Sequence, residues 1–377
     1  MEITRISTFI IGNPWKNWVI ARVETDEGVT GLGEASGLTG KAAAAEIEEL
    51  TRFVIGMDPR EPARVYDRMF KGLFLENTAG VCAIEIACWD ILGKSLGAPL
   101  WRLLGGKVQP RLRVYANGWY TCPRDPSAFA ERASAVKEMG YTALKFDPFG
   151  AAYLNLDPAE EKLSLSLVRA VREAVGDEVD ILVEGHDRFA ASTAIRIGRA
   201  LAEFRPAWFE TPVDSLDVRA TTEVARAVPV PVASGERLRH LSEFAELLAP
   251  RAVSIVQPEP LGCGGVGGAM KVAALAQAHG AVVACHQAQS PLCTGLNAHL
   301  HAAMPNFMIQ ECFDDFLEPW ARDVLQGVPK VDGGYIEPSD APGIGVELNE
   351  EEAAKHPYGR DKFIRLFEPG WESRRRQ

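Results

Sequence analysis

The feature that most constrains this chain is a rhythm. From about Leu112 onward, short apolar runs recur: "LRVYANG", "ALKFDPF", "DILVEGH", "AWFETPV", "VPVASGE", "AVSIVQP", "AVVACHQ" and "FMIQECF", each followed by a helical pattern. The spacing is roughly 20–35 residues, one strand-helix-strand step each. Between the runs lie amphipathic stretches such as "STAIRIGRALAEF", with Ala194, Ile197, Leu201 and Phe204 on one stripe. Eight such steps in succession predict an α/β fold, a TIM-type (β/α) barrel.

The residues before this repeat follow another pattern. "WVIARVET", a turn at "DEG" and "VTGLGEA" read as a hairpin or a three-strand meander. Three helical patterns follow, "AAAAEIEELTRFVIG", "PARVYDRMFKGLF" and "GVCAIEIACWDILGKSLGA", the last ended by Gly97 and Pro99. The expected organisation is an α+β capping domain over residues 1–110, the barrel over 111–315, and a turn-rich segment, 316–377, that returns to the cap.

Bulk properties narrow the function. A formal charge of −11 argues against nucleic acid or an anionic membrane as partner. If the substrate is an anion, the site must supply its own positive charge. No run approaches the roughly 18 apolar residues that span a bilayer, and "MEITRISTFIIGNPW" lacks the features of a signal peptide. The seven cysteines include no C-x-x-C pair and read as reduced thiols of a cytoplasmic protein. Gly262, Gly264 and Gly267 spell G-x-G-x-x-G, yet they follow the sixth strand rather than the first, and the stretch about 20 residues on reads "ACHQ". The run is better read as a tight loop that lets backbone pass near a ligand than as a dinucleotide site.

In a barrel of this kind the C-terminal ends of the strands meet at one mouth. Read in order, those ends offer Glu184 and His186, then Glu210, Glu236, Glu259, His286 and Glu311. So many ionisable groups at one rim are costly without a purpose, because like charges raise each other's pKa. Glu184, Glu210 and Glu236 fall at near-equal steps on adjacent strands. Each alone would read as a solvated or ion-paired residue; together they form an all-oxygen set suited to a hard cation, Mg²⁺ first.

At this point the residues resemble the enolase superfamily, in its mandelate racemase branch. The likeness covers nearly the whole chain, through "GVTGLGEA" and "ACWDILGKSLGAPLWRLLGG" in the cap and "WFETP", "ASGER", "IVQPEPLGCGGV" and "NFMIQE" in the barrel. "VYANGWY", "MGYTALKFDPFG" and "DILVEGHDRF" are similar to the acid-sugar dehydratases of that branch, above all those acting on gluconate. Lys or His bases beside Mg²⁺ are a known pattern of the superfamily.

The resemblance implies one Mg²⁺ per subunit, removal of the proton next to a substrate carboxylate through a metal-stabilised enediolate, and loss of the 3-hydroxyl. It implies His286 as base, oriented by Glu259 where relatives usually carry aspartate, and His186 as the acid that protonates the departing hydroxyl. Glu311 is expected to hydrogen-bond the enediolate, and Lys145 to hold charge beside the substrate carboxylate. Racemising relatives carry K-x-K on the second strand; here the stretch reads "KFD", with Asp147 in place of the second lysine. Asp147, Asn117, Trp119 and Tyr120 are expected to meet the substrate. The loop from Asn13 to Asn17 and the turn from Gly72 to Asn77 are expected as lids. The reaction implied is D-gluconate to 2-keto-3-deoxy-D-gluconate, in a homo-oligomer. Dehydration of galactonate or a pentonate, cycloisomerisation or epimerisation, and non-catalytic binding of an acid sugar with Mg²⁺ remain alternatives.

Overall fold

The computed structural model describes residues 1–37 and 40–373, so the last four positions of the expected segment 316–377 lie outside the described residues. The chain begins with an antiparallel meander, β1 (Ile3–Asn13), β2 (Lys16–Thr25) and β3 (Thr30–Ala35), followed by α1 (Gly40–Val54), α2 (Pro62–Gly72) and α3 (Ala79–Ser95). Alternation along β2 sorts its side chains into two layers. Val19, Ala21 and Val23 join the cluster under the three helices. Trp18 and Ile20, with Ile11 and Leu32, face the other way and merge with the core of the following domain. The meander is therefore a shared wall. At Gly33, an added Cβ would come within 1.9 Å of the Ala83 carbonyl oxygen, so the absence of a side chain is what lets α3 close on β3.

Eight parallel strands follow: β4 (Leu112–Ala116), β5 (Ala143–Phe146), β6 (Asp180–Glu184), β7 (Trp208–Glu210), β8 (Val232–Ser234), β9 (Ile255–Val256), β10 (Val282–Val283) and β11 (Gln310–Cys312). Each pairs with the next up to β10, and β11 pairs back onto β4. The remaining gap is bridged where Val283 meets Phe307, on the approach to β11. The strands are mostly apolar because both faces are covered, and their charged residues fall mainly toward the strand ends. Tyr115, Leu182, Trp208, Ala233 and Ile255 fill the barrel interior, whereas Val114, Ile181, Phe209, Val232 and Val256 lie in the core under the helices. The stripe of Ala194, Ile197, Leu201 and Phe204 is buried as its spacing requires.

The glycine run has a different neighbour from the one expected. It leads into the helix Gly265–Ala278, whose first N–H groups point at a carboxylate of the cap rather than at a ligand. Val266 and Gly267 donate to the two oxygens of Glu85, on α3, at 2.9 and 3.0 Å, and Trp89 Nε1 adds a third bond at 2.8 Å. Gly265 has φ +69°, and a Cβ there would stand 2.0 Å from Glu85 Oε2. A helix N-terminus is a natural anion site, and here an internal anion fills it. The loop staples cap to barrel.

Beyond β11 the strand Tyr335–Ile336 pairs antiparallel with β4. The tail then crosses to the cap. Gly12 N–H donates to the His356 carbonyl at 2.8 Å, and the Asn17 amide bonds Gly359 and Lys362. No helix among the described residues is long and apolar enough to cross a membrane.

The staple is open to test. Glu85→Ala strands one buried and one part-buried N–H donor and is expected to lower the unfolding free energy by about 2 kcal/mol. Glu85→Gln, which keeps an acceptor, should lose less. Denaturant titration followed by fluorescence measures both, and an unchanged Glu85→Ala midpoint would show that the staple contributes nothing.

Candidate active site

Because the barrel strands are parallel, their C-terminal residues emerge at one rim. β6 ends at Glu184, β7 ends at Glu210, and Glu236 lies two residues beyond β8. One oxygen from each lies within 4.8 Å of the others. These are hard, anionic oxygen donors, the set that suits a divalent cation of the Mg²⁺ type. Neighbours aim them: Glu184 Oε1 accepts from Thr211 Oγ1 and from the His186 N–H, both at 2.8 Å. Glu210 Oε2 accepts from Trp208 Nε1 at 2.8 Å.

Lys145, the next-to-last residue of β5, projects into this group. Its Nζ lies 2.5 Å from Glu210, 2.9 Å from Glu311 and 3.2 Å from Glu184. Burial acts to lower the Lys145 pKa, but Glu210 and Glu311 outweigh it and hold the ammonium well above its usual value. Burial, then the Glu184 charge, pushes Glu210 up to about 8. Glu311 goes the other way: burial opposes, yet Lys145 and His286 hold its carboxyl below the usual range. It accepts from Asn117 Nδ2 at 2.6 Å and from the Gln287 N–H at 2.8 Å. Of the two ways in which Glu311 could support an enediolate, a raised pKa is absent and neighbouring donors, Lys145 and Asn117, are present.

The two imidazoles stand on opposite sides of the mouth, since β6 and β10 are four places apart in a ring of eight. His286 Nδ1 lies 2.8 Å from Glu259 Oε2, and its Nε2 lies 3.5 Å from Glu236. The longer side chain at position 259 does reach the ring, and the Leu261 N–H holds its other oxygen at 3.2 Å. Burial would lower the His286 pKa, but Glu236 and Glu259 together push it up to about 10. His186, at φ +50°, has its Nδ1 2.6 Å from Asp147 Oδ2.

Asp147 is therefore not where a substrate contact should be. It is fully buried beneath His186, bonded also to the Arg188 guanidinium and the Phe149 N–H, and does not border the cavity. Tyr120 likewise packs inward, against Trp119 and Phe129. Trp119 Nε1 donates to the Lys145 carbonyl at 2.8 Å, bracing β5 from behind. Of the expected substrate contacts Asn117 alone lines the central cavity, a space of about 700 Å³.

Trp15 and Lys16, in the β1–β2 turn, reach this cavity, as that loop was expected to. The Gly72–Asn77 turn does not: Asn77 borders a separate crevice and donates to the Arg239 carbonyl at 2.7 Å. Sequence reasoning missed Phe367 and Trp371, which come from the tail and form part of the wall. Only an aromatic in a turn-rich stretch marked them, which is no signal of a site.

The arrangement can hold a carboxylate near Lys145, with one imidazole on each side of the mouth. Its electrostatics predict a pH dependence in the metal-free chain. Glu210 and His286 have folded-state values of about 8 and 10, both above their ordinary values of 4.5 and 6.5. The folded state binds more protons than the unfolded one, so these groups stabilise the fold fully below those ordinary values. That stability should fall as pH rises from about 5 toward about 10. Melting temperatures of EDTA-treated protein across this range test it, and a rise with pH would contradict the cluster's electrostatics.

Comparison with known proteins identifies the family. Residues 11–105 match the mandelate racemase / muconate lactonizing enzyme N-terminal domain, and 128–353 match the enolase C-terminal domain-like family. The chain is 36% identical to a D-gluconate dehydratase of Thermoproteus tenax, covering 95% of this chain and 73% of that protein. It is 33% identical to a D-gluconate/D-galactonate dehydratase of Picrophilus torridus, over 95% and 93%. A D-xylonate dehydratase of Haloferax volcanii is 31% identical, over 94% and 89%. Among solved structures, a mandelate racemase/muconate lactonizing enzyme from Jannaschia sp. CCS1 superposes with a TM-score of 0.89 at 32% identity, over 95% of this chain and 98% of that one. The chain belongs to the enolase superfamily, in its mandelate racemase/muconate lactonizing enzyme branch.

Proposed function

We propose that the chain is a hydro-lyase that dehydrates an aldonic acid, D-gluconate first, to the 2-keto-3-deoxy acid. The observation that carries this reading is the asymmetry of bases. A racemase needs a base on each face of the carbon beside the carboxylate. Here the second lysine of K-x-K is Asp147, which lies under His186 and out of the cavity. One imidazole is left for C2 and a second, across the mouth, for the leaving group. The gluconate, galactonate and xylonate dehydratases among the relatives support the same reaction class.

The residues present fit the family's Mg²⁺, since three carboxylate oxygens converge and, among the described residues, no His or Cys joins the group. Held by Glu184, Glu210 and Glu236, it would supply a Lewis acid beside the substrate carboxylate, where charge develops. Lys145 adds a fixed positive charge at the same end. With the Glu236 charge taken up, the largest influence that holds the His286 ring protonated is withdrawn, and the neutral ring's Nε2 takes the C2 proton, with Glu259 keeping the other nitrogen engaged. The C2 electron pair then forms the C2–C3 double bond as the C3–O bond breaks. His186 Nε2 gives its proton to the departing oxygen, which leaves as water. The resulting enol takes a proton at C3 and becomes the 2-keto acid.

Two experiments decide the reading. Incubated with Mg²⁺ and a panel of gluconate, galactonate and xylonate in D₂O, the protein should form a 2-keto-3-deoxy acid from at least one, followed by NMR. His286→Asn should lose C2 exchange and product by about 10²-fold or more. His186→Asn should keep exchange and lose elimination. Exchange without water loss in the parent would point to epimerisation, and binding without turnover to a silent binder. Separately, Mg²⁺ should raise the melting temperature more at pH 8 than at pH 5, because protons compete for Glu210. Glu236→Gln should weaken that effect; no Mg²⁺ effect at either pH would remove the metal from the account.

A further inference from the structure

His186 and His286 are gripped in the same way. Each ring presents Nδ1 to a carboxylate delivered by the preceding strand of the ring: Glu259 beyond β9 for His286, and Asp147 beyond β5 for His186. A carboxylate at Nδ1 fixes that nitrogen as the N–H and leaves Nε2 to face the cavity.

Around His186 the grip is fuller. Asp147 Oδ1 accepts the Phe149 N–H at 2.8 Å, and Oδ2 accepts from both His186 and Arg188. Arg188 is itself fully buried, with further bonds to the carbonyls of Gly185 at 2.9 Å and Gly150 at 2.8 Å. The Gly150 carbonyl also accepts from Trp371 Nε1 at 2.9 Å. That indole stands edge-on to the His186 ring, centroids 5.4 Å apart and planes at 88°. His186 and Asp187 both adopt positive φ, +50° and +56°. L-residues hold that conformation only where the surroundings over-determine it. A buried ion pair is a weak source of stability by itself, so its placement here calls for another role.

We propose that Asp147, locked by Arg188, and Trp371 of the tail are positioning residues that set the orientation of His186, so that Nε2 meets the C3 hydroxyl. This rests on the reading of His186 as the acid of the dehydration. The pair Asp147–His186 is then the leaving-group counterpart of Glu259–His286, and "KFD" marks a device for elimination rather than the loss of a base.

The test separates loss of water from loss of a group that needs no proton. Parent, Asp147→Asn, Trp371→Phe and His186→Asn are assayed in D₂O on whichever of gluconate, galactonate or xylonate turns over, and on its 3-deoxy-3-fluoro analogue. In the analogue the C3–F bond breaks and fluoride leaves with the electron pair, so no acid is required. Asp147→Asn should lower water elimination by about 10²-fold while C2 exchange persists and fluoride release falls far less. Trp371→Phe, which keeps an aromatic wall but removes the bond to Gly150, should shift the same ratio in the same direction by a smaller factor. The proposal is overturned if Asp147→Asn lowers exchange, water loss and fluoride loss alike, or leaves water loss intact while His186→Asn abolishes it. If His186→Asn itself retains full dehydration, the underlying assignment of the acid fails instead, a result visible without touching Asp147.

Discussion

Three buried carboxylates converge on the single ammonium of Lys145, and the rest of the mouth is arranged around that imbalance. Two unit charges 4 Å apart interact by about 4 kcal/mol at the effective dielectric of such sites. Glu184, Glu210, Glu236 and Glu311 cannot all stay ionised together without cations among them. The chain supplies one lysine and two histidines, and leaves Glu210 shifted up and the His286 ring charged. That residual negative field suits a divalent cation, and such a cation beside Lys145 would give a protein of charge −11 the local positive charge that an acid's anionic end requires.

The chemistry is laid out by the circular geometry of the sheet. Adjacent strands give the cluster, because ligand oxygens must lie within a few ångströms. Opposed strands give the two imidazoles, which therefore face each other across the mouth. Each histidine then draws its orienting carboxylate from the strand just before it. Function follows from positions in a ring, and so a chain with no local motif for its site can still assemble one.

For the same reason much of the site was legible in the sequence. The repeat numbers the strands, and a strand's last residues can only emerge at one rim, so Glu184, Glu210, Glu236 and His286 declare themselves. What the repeat does not tell is which way a side chain turns once past the strand. Asp147 reads as a rim residue, but Arg188, forty-one positions away, draws it under the ring. Glu311 reads as a possible donor until Lys145 is seen beside it. Tyr120 has the polar tip of a substrate contact, and its ring is taken by the aromatic cluster around Trp119. The glycine run reads as a loop that passes near a ligand, but its partner, Glu85, lies on a helix of the cap. Trp371 comes from so far along the chain that only three-dimensional packing could bring it in.

The bonds between Asn17 and the tail bear on how molecules reach the interior. Both ends of that amide are engaged, with Gly359 and with Lys362, and Lys362 Nζ returns to the Gly12 carbonyl at 2.7 Å. Trp15 and Lys16 on one side and Trp371 on the other are thus parts of a single panel. Moving that hairpin away from the tail would break these bonds, and the same tail carries Trp371, the indole that stands edge-on to His186.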